Sequence, residues 1–199
     1  MIKYVTVAKE ASAEQVIERS RFIAYIKSVE SREEAEAFLA EIRAKHKDAT
    51  HNVPAFVIGE KQELQWASDD GEPSGTSGAP MLQMIVKEGL TNVALVVTRY
   101  FGGTKLGTGG LVRAYTGSAR LALAEAGRLE VREYDSLQIR IPYSYYERVQ
   151  KKAAELKYEI TDSAFTDQVS LGLRFESEER EKIISALSEL LSKNLEIIS

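Results

Sequence analysis

Apolar and polar positions along the chain repeat with two different periods, and the switches between them lay out the elements. Ile2 to Val7 alternates as an edge strand does, whereas Ser12-Ala-Glu-Gln-Val-Ile has a Ser12/Gln15 capping-box spacing that predicts a short turn of helix. Arg21 to Lys27, rich in aromatic and β-branched residues, predicts a strand. Ser31-Arg-Glu-Glu34 then opens a helix whose apolar positions Ala35, Phe38, Leu39 and Ile42 recur at three and four, ending near His46 to Asp48. Thr50 to Ile58 reads as a strand, and Pro54 places it at an edge or a bulge because proline cannot donate to a ladder. Leu64 to Ser68 follows across a turn as its hairpin partner. Asp69 to Pro80 is a loop too polar to bury, with Pro80 in the first turn of a helix over Met81 to Lys87 and Gly89 as its stop. Val93 to Thr98 is a continuous apolar run expected near the middle of a sheet. Leu111 to Ala126 has small and apolar residues at helical spacing and closes on Gly127.

From Leu137 the pattern resets. Leu137 to Ile141 predicts a strand, Tyr143 to Leu156 a helix, Tyr158 to Ser163 and Val169 to Phe175 strands, Ser177 to Leu191 a helix and Leu195 to Ile198 a last strand. That order, βαββαβ, is ferredoxin-like. The expected fold class is therefore α+β with two domains, 1–133 and 134–199, with no low-complexity linker between them.

Composition narrows the chemistry more than the fold. The 199 residues are 44% apolar and 28% charged, as in ordinary soluble domains. Without a single cysteine, disulfides, thiolate nucleophiles, zinc ribbons and iron–sulfur clusters are excluded. No run approaches the roughly 18 apolar residues of a membrane helix, and the N-terminal stretch lacks a signal-peptide core, so a cytoplasmic protein with no membrane partner is expected. A net charge of -4 argues against a broad basic surface. It makes the run Arg99 to Arg113, with three cations and no acidic residue, stand out.

That stretch carries Arg99, Lys105 and Arg113 among five glycines, Gly102, Gly103, Gly107, Gly109 and Gly110, between an apolar strand and a helix. Flexible backbone, cations and a helix start together favour phosphate or another anion. Tyr100 and Phe101 adjoin its glycine run and could stack on bases. The Walker A and dinucleotide fingerprints are absent, as is the Gly-x-Ser-x-Gly elbow of serine hydrolases. A second glycine-rich loop holds Ser68, Asp69, Asp70, Gly71, Glu72, Ser74, Gly75 and Thr76. Its carboxylates, Asp69 and Asp70 above all, either hold Mg²⁺ or form turns. His46 and His51 have no evident third partner for a metal site, and His51 is expected to satisfy local hydrogen bonds.

Trp66 to Met81 and Gly89 to Tyr115, read together, resemble the two signatures of the IMPACT family in its bacterial branch, and Ser20-Arg-Phe-Ile and Ala49-Thr-His-Asn resemble further family positions. The resemblance covers roughly residues 15 to 130. Asn52-Val-Pro54 departs from the histidine, cysteine and aromatic residue often found there, which weakens a metal role around His51. The resemblance implies an N-terminal domain similar to the second domain of ribosomal protein S5 and a C-terminal domain similar to the last domain of elongation factor G. Eukaryotic members act in translational control by binding an activator of the amino-acid-starvation kinase. They do so through regions that include an additional N-terminal domain, so that partner is not carried over.

These observations support a non-enzymatic binding protein that engages RNA or the ribosome, with Arg99, Lys105 and Arg113 on phosphates and Tyr100 or Phe101 stacking. No catalytic residue is assigned and no cofactor is required. Two alternatives stay open: an enzyme or switch that binds a small phosphorylated ligand with Mg²⁺, and a protein-interaction module. The oligomeric state is open too.

Overall fold

The computed structural model describes residues 2–198. The chain divides into two compact units, Lys3–Val131 and the remainder, chiefly 132–198. In the first, chain order runs β1 (Ile2–Val7), β2 (Ala11–Ile17), β3 (Ser20–Ser28), α1 (Arg32–Lys45), β4 (His51–Ile58), β5 (Leu64–Ala67), α2 (Gly78–Lys87), β6 (Val93–Tyr100), α3 (Gly107–Ala126) and β7 (Arg128–Arg132). An antiparallel sheet of order β2-β3-β6-β4-β5 forms its centre, and β1 pairs with β7 in a separate ribbon. The apolar run of β6 is continuous because both faces of this central strand are covered. Val93, Leu95 and Val97 pack with α2 and α3, whereas Ala94 and Val96 pack with α1 on the other face.

Local chemistry accounts for the helix ends. Ser31 Oγ accepts from the Glu34 N–H at 3.2 Å, while Glu33 and Glu34 in the first turn and Arg43 and Lys45 in the last complement the dipole of α1. Helix α3 begins at Gly107, four residues before its apolar pattern, so Gly107, Gly109 and Gly110 belong to a helical turn and not to a loop.

Two sequence expectations are corrected here. Ser12 to Ile17 is strand β2, paired residue for residue with β3 from Ala11↔Ile26 to Ile17↔Ser20. The alternating burial of Ala11, Ala13, Gln15 and Ile17 overrides the local capping-box spacing. Pro54 lies in an interior strand without a bulge, between β6 and β5. Its carbonyl accepts from the Ser68 N–H at 3.2 Å, so its donorless nitrogen faces the β5 side, past the last β4–β5 pair, Ala55↔Ala67. The ladder to β6 loses no bond.

On the α1 face, Tyr100 belongs to a relay that runs from buried Tyr25 and His46 out to exposed Asp48. The Tyr25 hydroxyl donates to His46 Nε2 at 2.7 Å, His46 Nδ1 donates to the Tyr100 oxygen at 2.8 Å, and the Tyr100 hydroxyl donates to Asp48 Oδ1 at 3.2 Å. The relay needs neutral His46. Burial first, then the charges of Lys45 and Arg21, hold its pKa below the ordinary imidazole value. A group lowered in the folded state binds its proton more readily unfolded. Its stability contribution is therefore full above the unfolded pKa of about 6.5 and declines as pH falls through and below it. The urea midpoint of the first unit is expected to drop between pH 7.5 and 5.5, and His46→Gln to flatten that drop; equal pH dependence in both proteins would discount the relay.

In the second unit, β8 (Tyr134–Ile141), α4 (Tyr146–Leu156), β9 (Tyr158–Phe165), β10 (Val169–Glu176), α5 (Arg180–Leu191) and β11 (Glu196–Ile197) form βαββαβ, and short 3₁₀ turns over Tyr143–Tyr145 and Ser177–Glu179 lead into the two helices. The antiparallel sheet has the order β11-β8-β10-β9, that of a ferredoxin-like domain. Leu137, Ile139 and Ile141 of β8 and Leu171, Leu173 and Phe175 of β10 meet Val149 of α4 and Ile183 and Leu187 of α5 in its core. The fold class is α+β with two domains. Among the described residues no helix is long and apolar enough to cross a membrane.

Candidate functional site

Antiparallel register assembles the site from residues far apart in sequence. Arg99 pairs across β6 with Phe22 on β3 and with His51 on β4, so the three share the face covered by α3. Tyr100, one residue on, takes the opposite face and the His46 relay. Tyr115 of α3 meets Phe22 edge-on, with ring centroids 5.4 Å apart. Glu72 enters from the second glycine-rich loop.

Glu72 is the hub. Its Oε1 accepts from Arg99 Nη1 at 2.7 Å and from the Tyr115 hydroxyl at 2.7 Å, and His51 Nε2 lies 3.7 Å away. The Glu72 and Arg99 side chains are 3% and 5% exposed, so this is a buried ion pair. Burial, followed by the hydrogen bond to Glu72, pushes the Tyr115 phenol far above its ordinary range and keeps it a donor. Arg99 Nη2 donates to Ser20 Oγ at 3.2 Å, and the guanidinium carbon lies over the Phe22 and Phe101 rings, 5.4 and 5.3 Å from their centroids. His51 Nδ1 donates to the Asp70 carbonyl at 2.8 Å, which leaves Nε2 to accept when the ring is neutral. The sequence expectation for Arg99, an open phosphate contact, is corrected: its charge is spent on Glu72.

A cavity of about 440 Å³ opens over this cluster, lined by His51, Glu72, Arg99, Phe101, Leu106 and Leu111 with Pro73, Lys105, Gly107 and Thr108 near them. Both glycine-rich loops therefore contribute to one cleft. Phe101 is 47% exposed, and Lys105 and Arg113 are exposed. Lys105 and Arg113 also line a neighbouring groove of about 600 Å³ with Gln15, Gly110 and Gly117.

The two helix N-termini beside the cleft differ. At α2, Asp69 acts as a remote cap: Oδ1 accepts from the Ser77 N–H at 3.1 Å, the Ser77 hydroxyl at 2.7 Å and the Gly78 N–H at 2.9 Å, and Oδ2 accepts from the Gly75 N–H at 2.8 Å. Burial alone raises the Asp69 pKa, but these bonds outweigh it and hold the carboxyl below its ordinary value. Helix α3 has Leu106 at its N-cap, no side-chain cap and no acidic residue in its first turn. Its first N–H groups have no partner within the helix.

The metal expectation meets a committed loop. Asp70 accepts from Arg43 at 2.7 Å and from the Asn52 N–H at 2.6 Å, and Asp69 is the α2 cap. No group of three or more metal-ligating side chains occurs among the described residues. The rest of the loop is held by its own turns: Ser68 Oγ accepts from the Asp70 N–H at 3.2 Å, and Thr76 Oγ1 donates to the Pro73 carbonyl at 2.6 Å. Gly71, at φ +89°, passes beside the His51 ring, and Ser74 faces solvent. Gly102 and Gly103 turn the chain from β6 towards α3, Gly103 at φ +88°.

Residues 18–123, more than half the chain and including every charged group of the cluster, match the model of the Impact N-terminal domain. The chain belongs to the IMPACT family. It is 38% identical over 190 residues to the IMPACT family member YvyE of Bacillus subtilis, covering 96% of this chain and 86% of that one. It is 36% identical to an IMPACT family member of Haemophilus influenzae, over 99% and 97% of the two chains. A crystal structure described as that of a hypothetical protein superposes on 98% of the chain and 96% of its own, with 29% identity and a TM-score of 0.63. Within this IMPACT chain, sequence reasoning missed His51 and Tyr115 as members of the cluster. His51 was findable, because it shares the alternation of Val53, Ala55 and Val57 and so faces α3. Tyr115 carries no such sign, since a core-facing helical tyrosine looks the same whatever its hydroxyl meets.

Proposed function

We propose that this IMPACT chain is a non-enzymatic, translation-linked protein that binds unpaired RNA, ribosomal RNA included, at the cleft between its two glycine-rich loops. The observation that carries the reading is that cleft: an aromatic wall at Phe101, the uncapped start of α3, the exposed cation Lys105 at its rim, and Arg113 with Lys105 in the neighbouring groove. The contacts differ from those the sequence favours, because Arg99 supports the wall and Lys105, Arg113 and the α3 N–H groups meet phosphates. A local basic rim suits a chain of net charge -4, which has no broad cationic surface for duplex binding.

Fluorescence anisotropy with a labelled single-stranded RNA across a potassium chloride series tests it. Loss of two phosphate contacts in the Lys105→Ala/Arg113→Ala double variant is expected to reduce the slope of log affinity against log salt by about 1.4. Unchanged affinity and slope would remove the reading. The cavity also favours a second source of the same chemistry, a free phosphorylated small molecule. Thermal-shift titration with nucleoside monophosphates, with and without Mg²⁺, separates the two: stabilisation by a free nucleotide without RNA binding selects the small ligand.

A further inference from the structure

We infer that the cavity receives the base of one unpaired nucleotide and prefers guanine. The inference rests on the RNA reading and adds what the cavity floor selects. That floor has an unfilled hydrogen-bonding group, the second carboxylate oxygen of Glu72, beside an apolar wall. Both hydrogen-bond donors to the Glu72 carboxylate, Arg99 Nη1 and the Tyr115 hydroxyl, approach Oε1, His51 Nε2 lies 3.7 Å from the same oxygen, and no hydrogen bond among the described residues falls on Oε2. Arg99 lines the same cavity, and its Nε is buried with no hydrogen-bond partner. Native folds leave few such groups without a role.

The walls and rim specify the rest of the ligand. Phe101, Leu106 and Leu111 offer apolar and aromatic surface, and a volume of about 440 Å³ fits a mononucleotide-sized body. Gly107 and Thr108, in the uncapped first turn of α3, line the cavity with Lys105, so an anionic group belongs at the rim. A planar body with a polar edge at one end and a phosphate at the other is a nucleotide. Proteins read such splayed-out bases by stacking and by hydrogen bonds to the Watson–Crick edge.

The carboxylate chooses among the bases. Guanine presents two adjacent donors, N1–H and N2–H₂, to a carboxylate oxygen, with O6 beside them as an acceptor. Adenine, cytosine and uracil each place an acceptor next to the donor of that edge, which would face the Glu72 charge. His51 stays a hydrogen-bonded neighbour, anchored through Nδ1 on the Asp70 carbonyl.

Four labelled pentamers, UUGUU, UUAUU, UUCUU and UUUUU, decide the matter with the unaltered protein. UUGUU is expected to bind about tenfold more tightly than the other three. Glu72→Gln, with folding checked by thermal melting, is expected to erase that ranking. Phe101→Leu, at a half-exposed position that keeps its apolar character, is expected to weaken all four pentamers by a similar factor and preserve the ranking. Equal affinity for the four pentamers overturns the guanine inference and leaves RNA binding standing. Absence of binding to every pentamer, with guanosine monophosphate still bound, overturns the RNA reading and supports the cavity with a free nucleotide as its source; absence of both overturns both.

Discussion

Arg99→Met is expected to cost about 3–5 kcal/mol of folding stability, and Glu72→Gln a similar amount, because each leaves its partner charged, buried and unpaired. The two side chains are 5% and 3% exposed, so the surviving charge stays largely desolvated. After Arg99→Met, the carboxylate keeps only the Tyr115 hydroxyl at 2.7 Å and His51 at 3.7 Å. After Glu72→Gln, the guanidinium keeps Ser20 and the faces of Phe22 and Phe101. Removing both charges together is expected to cost less than the sum of the single losses, since a buried pair is worth little against a neutral replacement of similar volume. Trp66, the single tryptophan, stacks on Phe56 within the same sheet and reports on the first unit alone. Urea melts followed by its fluorescence for both singles and the double therefore form a complete cycle. Single losses below about 1 kcal/mol would mean that the pair behaves like a solvated surface bridge.

How much of this was legible in the sequence depended on whether a feature was local. Helix α1, with its Ser31 cap and its three-and-four spacing, and central strand β6, with its unbroken apolar run, carry their own signals. So does the βαββαβ order of the second unit, where periods of two and 3.6 alternate cleanly. The membership of both glycine-rich loops in one cleft followed from sheet register, which no single window contains. Reading Arg99-Tyr-Phe as one basic aromatic patch failed for a simple reason: β6 continues to Tyr100, and strand alternation sends Arg99 to the α3 face and Tyr100 to the α1 face. Ribbon strand β7 was passed over because most of its residues are exposed and its pattern is largely charged.

The acidic loop misled by composition. Asp69 and Asp70 look like a metal pair, but Asp69 caps a helix that starts nine residues later and Asp70 meets Arg43 across 27 positions. Those distances in sequence exceed any capping-box spacing. The start of α3 is a contrasting case. Leucine at an N-cap is a poor choice for helix stability, and its presence before a glycine run is a signal that the helix end is left open for something other than its own side chains.

Gly102→Ala is expected to cost about 3 kcal/mol, the upper part of the range for overpacking, whereas Gly109→Ala is expected to be neutral or stabilising by up to about 1 kcal/mol. A Cβ on Gly102 would lie 2.0 Å from the Arg19 carbonyl oxygen and 2.1 Å from its carbon, both backbone atoms. Arg19 has little freedom to withdraw. It and Glu18 hold φ of +65° and +45° in the two-residue turn between β2 and β3, and the pair Ile17↔Ser20 closes that turn. Any shift also moves Ser20, whose hydroxyl accepts from the Gly102 N–H and from Arg99 Nη2, both at 3.2 Å. The close approach of Gly102 thus helps fix the guanidinium that pairs with Glu72. Gly109, in contrast, sits in the first turn of α3, where an added Cβ meets only Arg113 Nη1 at 3.5 Å, the end of a flexible side chain. Denaturation midpoints read at Trp66 for the two variants separate the roles: a Gly102→Ala protein within about 0.5 kcal/mol of the parent would show that the β2–β3 turn yields, and that the ion pair does not depend on it.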